Sequence, residues 1–286
     1  MADHSPKLVS IHGGHSGQFC SHATDTLEEI VQTYVDKGFT WVGLTEHIPP
    51  VSDAFLYSDD IAAGLSAAAI DDRFANYISI ARDLQDRYKD SIRILVGFET
   101  ECCTGYEQHV KELRDRFQPD YIVGSVHHVR DVGIDGSLAS YEKATTMLGG
   151  VEALYCEYFD QQLQMLEVLA PEVVGHFDLI RIHDPDYHER LEDSGVRERI
   201  FRNLEKIRAL GSILDFNVRA YERGGSEPYV APSILKMALD LGIPCVPGDD
   251  SHSIAGAGLH VQRGIAILQE YGFSTDWPIP GNNRSG

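Results

Sequence analysis

Seven short apolar runs in this chain each carry histidine, aspartate or glutamate at or near their C-terminal end: LVSIHGGH, WVGLTEH, ILVGFETE, YIVGSVHH, VVGHFD, ILDFN and CVPGDDSH. Stretches of helical character separate them. Apolar runs of about 4–8 residues in such alternation read as buried parallel strands. Alternating βα units predict a right-handed series that closes as a barrel, here with one unit fewer than the usual eight. Barrel enzymes gather their chemistry at the C-terminal strand ends, so His15, His47, Glu99, His127, His176, Asp250 and His252 are expected to converge. Imidazoles mixed with carboxylates at one mouth form a ligand set for borderline divalent metals.

Size and charge narrow the function classes. At 286 residues the whole chain, 1–286, reads as one domain, since single α/β barrels of about 250 residues are common. A net charge of −20 argues against nucleic acid or an anionic membrane as a general partner, because either calls for a basic face. Phosphorylated small molecules stay open, because bound divalent ions reverse the local sign of a site. The cysteines Cys20, Cys102, Cys103, Cys156 and Cys245 have no regular spacing and read as reduced thiols without assigned chemistry. The first residues have neither a basic nor an apolar targeting segment, and no stretch approaches the ~18 apolar residues of a membrane span. These features point to a cytoplasmic protein; they leave its oligomeric state undetermined.

Local signals place the helices. Thr26 and Glu29 form a capping box before LEEIVQTYVDKG, which Gly38 ends. The segment from Pro49 to about Ala69 reads as a long loop over the mouth, and Asp71–Tyr88 as a helix. EQHVKELRDRF is helical, as is 141–169 with a break at Gly149-Gly150. RERIFRNLEKIRALG ends at Gly211, PSILKMALDLG follows ILDFN, and a last helix covers 255–271.

The segments GGHSGQFCSHA, LTEHIP, VGFETE, GSVHH, GHFDLI and GDDSH resemble, in order, the motifs of the PHP (polymerase and histidinol phosphatase) superfamily. HSGQFCSHA followed by TEHIP resembles its histidinol-phosphate phosphatase branch. The resemblance implies an α/β fold, a distorted seven-stranded (β/α)7 TIM-like barrel, holding two or three divalent metal ions (zinc, iron or manganese) at the mouth. It assigns His15, Glu99 and Asp250 to one metal, Glu99, His127 and His176 to a second, and His22, His47 and His252 to a third. The implied activity is hydrolysis of L-histidinol phosphate to L-histidinol and phosphate, in histidine biosynthesis, through attack of a metal-bridging hydroxide. Glu99 would bridge, and Asp250 or His252 would move the protons. Two other readings stand beside it: a phosphoesterase for another small ester, and a degenerate metal-binding module without turnover.

The superfamily's opening motif is HxH, and by that spacing Gly13 stands where the first histidine belongs. A regular strand puts His12 and His15 on opposite faces. Either a bulge at Gly13-Gly14 turns His12 inward, or the first metal has fewer protein ligands and more water. Arg181, Arg219 and Arg223 follow strand ends, where a guanidinium can grip phosphate or form a surface salt bridge. Asp53, Asp59, Asp60 and Glu222 are candidate partners for the substrate's amine. Glu46 and Glu101 read equally as groups that orient a ligand imidazole or as groups without a role. His128 reads as a packing or supporting group, Asp249 as a supporting or solvent-facing group, and His4, His109, His183, His188 and His260 as ordinary residues.

Overall fold

The computed structural model describes residues 6–281. In chain order its strands are β1 (Val9–Ser10), β2 (Trp41–Leu44), β3 (Arg93–Glu99), β4 (Tyr121–Gly124), β5 (His128–Val129), β6 (Val132–Gly133), β7 (Val173–Val174), β8 (Ile213–Asn217) and β9 (Cys245–Gly248). The helices are α1 (Leu27–Asp36), α2 (Ser58–Ala62), α3 (Ala67–Tyr88), α4 (Tyr106–Phe117), α5 (Leu138–Leu148), α6 (Val151–Leu169), α7 (Tyr187–Glu192), α8 (Ser194–Leu210), α9 (Pro232–Asp240) and α10 (Val261–Tyr271). Seven strands form one sheet in the order β1-β2-β3-β4-β7-β8-β9, and each neighbouring pair is parallel. This is the expected α/β barrel of seven units.

The seam between β9 and β1 is closed just beyond the strands. Ile11 N donates to Pro247 O (2.9 Å), Asp250 N to His12 O (2.8 Å) and His15 N to Ser251 O (2.9 Å). Backbone pairing thereby sets the HGGH segment beside the DDSH segment. Inside, Val9, Ile11, Val42, Leu44, Val96, Phe98, Ile122, Leu214 and Val246 belong to a buried cluster that continues into the helices. Removal of that surface from water is the main stabilising term.

The capping box at α1 is present: Thr26 Oγ1 accepts from Glu29 N (3.3 Å) and Glu29 Oε2 accepts from Thr26 N (2.8 Å). Helix breaks fall at Gly149-Gly150 and Gly211 as the sequence implies. Four elements differ from expectation. The mouth segment is not a plain loop, because it contains a 3-10 turn at Asp53–Phe55 and α2. Helix α3 begins at Ala67, since Ser66 Oγ accepts from Ala69 N (3.2 Å) and caps the alanine run. The hairpin β5–β6 interrupts the strand-to-helix step after GSVHH, and α10 begins at Val261 instead of 255.

Candidate active site

Beyond Ser10 the backbone leaves the two-residue strand repeat, and Gly14 takes φ +76°, a left-handed conformation that suits glycine. His12 and His15 therefore both face inward and are fully buried. His12 Nε2 lies 3.3 Å from Glu99 Oε2 and 4.0 Å from Asp250 Oδ1. His15 Nε2 lies 3.3 Å from Asp250 Oδ1 and 3.9 Å from Glu99 Oε2. Gly13 is packed tightly: a Cβ there would come within 2.4 Å of Asp249 Oδ1 and 2.8 Å of Tyr34 Oη. A histidine at position 13 has no room, so the departure from HxH is not a vacated ligand position. The degenerate-module reading loses its sequence support.

Glu99, the last residue of β3, stands at the centre. Its Oε1 is 2.8 Å from His176 Nε2 and 3.3 Å from His127 Nε2, and those two nitrogens are 3.2 Å apart. Its Oε2 faces His47 Nδ1 at 3.1 Å as well as His12. Four groups have donor atoms within 4.8 Å of one another: His12–His15–Asp250, His12–Glu99–His176, His15–His47–Glu99 and Cys20–His22–His47–His252. Of the two alternatives for the first metal, the structure has His12 turned inward, and it brings in Cys20, which the sequence reading left without chemistry. The sequence signal for Cys20 was its position two residues before His22 in FCSH.

Buried carboxylates stand behind the imidazoles. Asp215 Oδ2 is 2.8 Å from His12 Nδ1, Glu46 Oε2 is 3.5 Å from His15 Nδ1, and Glu101 Oε2 is 3.0 Å from His127 Nδ1. Such partners fix ring orientation and leave Nε2 facing the cluster. Asn217 Nδ2 donates to both Asp215 Oδ2 (3.0 Å) and Asp250 Oδ2 (3.2 Å). The sequence signal for Asp215 is an aspartate within the otherwise apolar strand ILDFN, a residue not among the expected site groups. Asp249 accepts from Ser10 Oγ (2.6 Å) and Tyr34 Oη (2.8 Å), a supporting role as expected.

The site divides into two electrostatic halves. Burial pulls His15 down, but Asp250 and Glu46 outweigh it and raise the imidazole to about 9. His12 and His127 are likewise raised, burial being overcome by Glu99, Asp250 and Asp215 at His12 and by Glu101 and Glu99 at His127. Burial pushes Glu99 and Asp250 up, yet His12 and other nearby positive groups hold both well below the carboxylate range. On the other side, burial and then His47 and His15 push His22 down to about 3. Burial, His15 and Arg219 lower His252 well below its ordinary value.

The donor set fits divalent metal. His12 Nε2, His15 Nε2, His47 Nδ1, Glu99 Oε2 and Asp250 Oδ1 are buried without a hydrogen-bond partner. Leaving such atoms unsatisfied costs about 1–3 kcal/mol each, and a cation that takes their lone pairs removes that cost. The cluster floors a cavity of about 480 Å³ whose wall includes Tyr57, Asp59, Asp135, His183, Arg219, Arg223 and Tyr229.

The arginines do not act alike. Arg219 lies against the Asp250 carbonyl and His252 Nδ1 and lines the cavity. Arg223 lines it too, 4.0 Å from Asp135. Arg181, expected as a phosphate contact, is turned inward and does not line the cavity. Its Nε donates to Asp178 Oδ2 (2.9 Å), its Nη2 to Pro228 O (2.5 Å), and its guanidinium packs on the rings of Tyr187 and Tyr229. Asp178 also accepts from Val230 N (2.8 Å) and Ala231 N (2.9 Å), which holds Val230 at φ +80°, a rare conformation for a β-branched residue. The pair clamps the loop that carries Tyr229.

Among the other expected acids, Asp59 lines the cavity, whereas Asp53 accepts from Ala67 N (2.7 Å) and Asp60 from Ser21 Oγ (2.6 Å). His128 Nδ1 sits 3.4 Å from Glu101 Oε2, and its ring packs near Phe55 and Tyr57. His109 bonds Pro49 O (2.8 Å), and His188 and His260 pack on Tyr187 and Tyr221. His183, read as ordinary, lines the cavity; His4 lies outside the described residues.

No helix among the described residues is long and apolar enough to cross a membrane. Residues 13–218 match the model of the PHP domain. The chain is 34% identical over 271 residues to the probable histidinol-phosphatase of Schizosaccharomyces pombe, covering 93% of this chain and 88% of that protein. It is 27% identical to the histidinol-phosphatase of Saccharomyces cerevisiae, covering 87% of this chain and 84% of that one. A similar fold occurs in the crystal structure of histidinol phosphate phosphatase from Lactococcus lactis complexed with zinc, L-histidinol and phosphate. The TM-score is 0.72 at 20% identity, over 94% of this chain and 95% of that one. On the match of fold, motif order and sequence, the chain belongs to the PHP domain family, in its histidinol-phosphatase branch.

Proposed function

We propose that the chain is a divalent-metal-dependent phosphomonoesterase that hydrolyses L-histidinol phosphate to L-histidinol and phosphate. The observation that carries this reading is the convergence of imidazoles on both oxygens of Glu99, at the floor of a cavity with arginine in its wall. Similarity to the two yeast histidinol-phosphatases along most of both chains supports the substrate.

Two or three ions of zinc, iron or manganese would be held here. His12, His15 and Asp250 with Glu99 would hold one, and Glu99, His127 and His176 another. His22, His47 and His252, with Cys20 adjacent, would hold the third. Bound ions of this kind offset phosphate charge and bring the pKa of water from ~15.7 toward roughly 7.

The chain's own groups supply orientation and proton transfer. In hydrolysis a water oxygen bonds to phosphorus, the bond from phosphorus to the histidinol oxygen breaks, and that oxygen takes a proton. Asp250 and His252 both line the cavity, and one of them would accept the water's proton and return a proton to the leaving oxygen. Arg219 and Arg223 bring positive charge toward phosphate oxygens, and Asp59 and Asp135 favour the substrate's ammonium group.

The test compares kcat/KM for L-histidinol phosphate with that for a panel of small phosphomonoesters. Preference for L-histidinol phosphate is expected. A better substrate in the panel would keep phosphoester chemistry and replace the substrate, and silence on all of them in the metal-loaded protein would overturn the reading.

A further inference from the structure

The segment roofing the cavity is tied to the ligand cluster at two points. Asp60, in α2, accepts from Ser21 Oγ (2.6 Å), next to His22. Tyr57, just before α2, donates its hydroxyl to Glu101 Oε1 at 2.6 Å. Glu101 is the carboxylate behind His127, and its surroundings are crowded with donors. Oε2 faces His127 Nδ1 at 3.0 Å and His128 Nδ1 at 3.4 Å, while Oε1 also faces His47 Nδ1 at 3.4 Å.

A glutamate's terminal torsion is broad, so a carboxylate among three imidazoles has no intrinsic reason to keep one orientation. An O–H···O⁻ bond of 2.6 Å lies in the charge-assisted range, roughly twice as strong as a neutral one. It occupies Oε1 and leaves Oε2 for His127. The tyrosine ring lies 5.9 Å from His22 and 6.2 Å from each of His47 and His128, contacts that a phenylalanine would reproduce. What only the hydroxyl supplies is the bond to Glu101.

We propose that Tyr57 is a positioning residue, whose hydroxyl fixes Glu101 and through it orients His127, so that the segment over the cavity helps to present a metal-binding imidazole. The proposal rests on the metal-site reading above. Its test is a double-mutant cycle with Tyr57→Phe, Glu101→Gln and the pair, reading zinc affinity by competition with a chromophoric chelator and checking each fold by circular dichroism. Loss of a group that orients a metal-binding histidine typically weakens metal binding by about 10–100-fold. One step further removed, Tyr57→Phe is expected to weaken zinc roughly tenfold and to raise KM. It is expected to add nothing once Glu101 is already Gln. Wild-type zinc affinity in Tyr57→Phe, or an additive effect in the pair, would overturn the proposal. Should Glu101→Gln fail to fold, Tyr57→Phe alone decides. Zinc affinity is read without substrate, so an error in the substrate assignment leaves this result standing.

Discussion

Asp249 Oδ1 lies where a side chain on Gly13 would begin, only 2.4 Å from the position of a Cβ there. Asp249 is itself buried and fixed by Ser10 and Tyr34, so it has nowhere to retreat. Overpacking of this kind typically costs about 1–3 kcal/mol. Gly13→Ala is expected to lose stability on that scale in urea unfolding. Gly13→His, which would restore HxH in the sequence, is expected to lose both stability and activity; a gain in activity would reinstate position 13 as a ligand position.

His12 and Asp215 form the other half of that segment's chemistry, 2.8 Å apart and both buried. Asp215→Asn keeps the size and changes the hydrogen bond that orients the imidazole. Metal affinity should fall by about 10–100-fold while the protein still folds. His12→Ala should remove metal outright, seen as fewer ions per chain by elemental analysis. Unchanged metal content in His12→Ala would take His12 out of the site.

Proton linkage gives a pH signature with a definite sign. His15 is raised to about 9 in the metal-free chain, so between about 6.5 and 9 the folded state keeps a proton that the unfolded state has released. The folded state then binds more protons, and stability must fall as pH rises through that window. Metal binding has to displace this proton, so zinc affinity should rise over the same range. Denaturant unfolding of metal-stripped protein at pH 6.5 and 9, with zinc competition at the same values, checks both trends. A flat zinc affinity would show that His15 either holds no such proton or binds no metal.

Arg181 and Arg223 should separate cleanly. Arg181→Ala leaves Asp178 buried with its charge partner removed, a change that costs about 3–5 kcal/mol in comparable settings. Its main effect should appear in urea unfolding. Arg223→Ala should raise KM for the phosphate ester with little change in unfolding midpoint or metal content. The reverse pattern would return Arg181 to the substrate.

Local chemistry makes much of this legible in the sequence. Strand-end histidines, the Thr26–Glu29 box and the Gly149-Gly150 break are read from neighbours in sequence, and each is realised in the fold. His12 was ambiguous because strand alternation is a rule for regular backbone, which ends at Ser10. Asp215, Glu46 and Glu101 stand out in the sequence as acids in or beside apolar runs, but the imidazoles that give them a purpose lie on other strands, so the sequence does not name what each one faces. Arg181 takes the position of a phosphate contact after a strand end, but Asp178 at the cap of the same turn and the distant Pro228 carbonyl hold it inward.

The most direct test titrates zinc into metal-stripped protein and follows bound metal and phosphate release from L-histidinol phosphate in the same sample. The stripped protein should be silent, with release rising as metal fills the cluster and saturating at two or three ions per chain. Undiminished release by the stripped protein, or a fully loaded protein that releases no phosphate, would contradict the account.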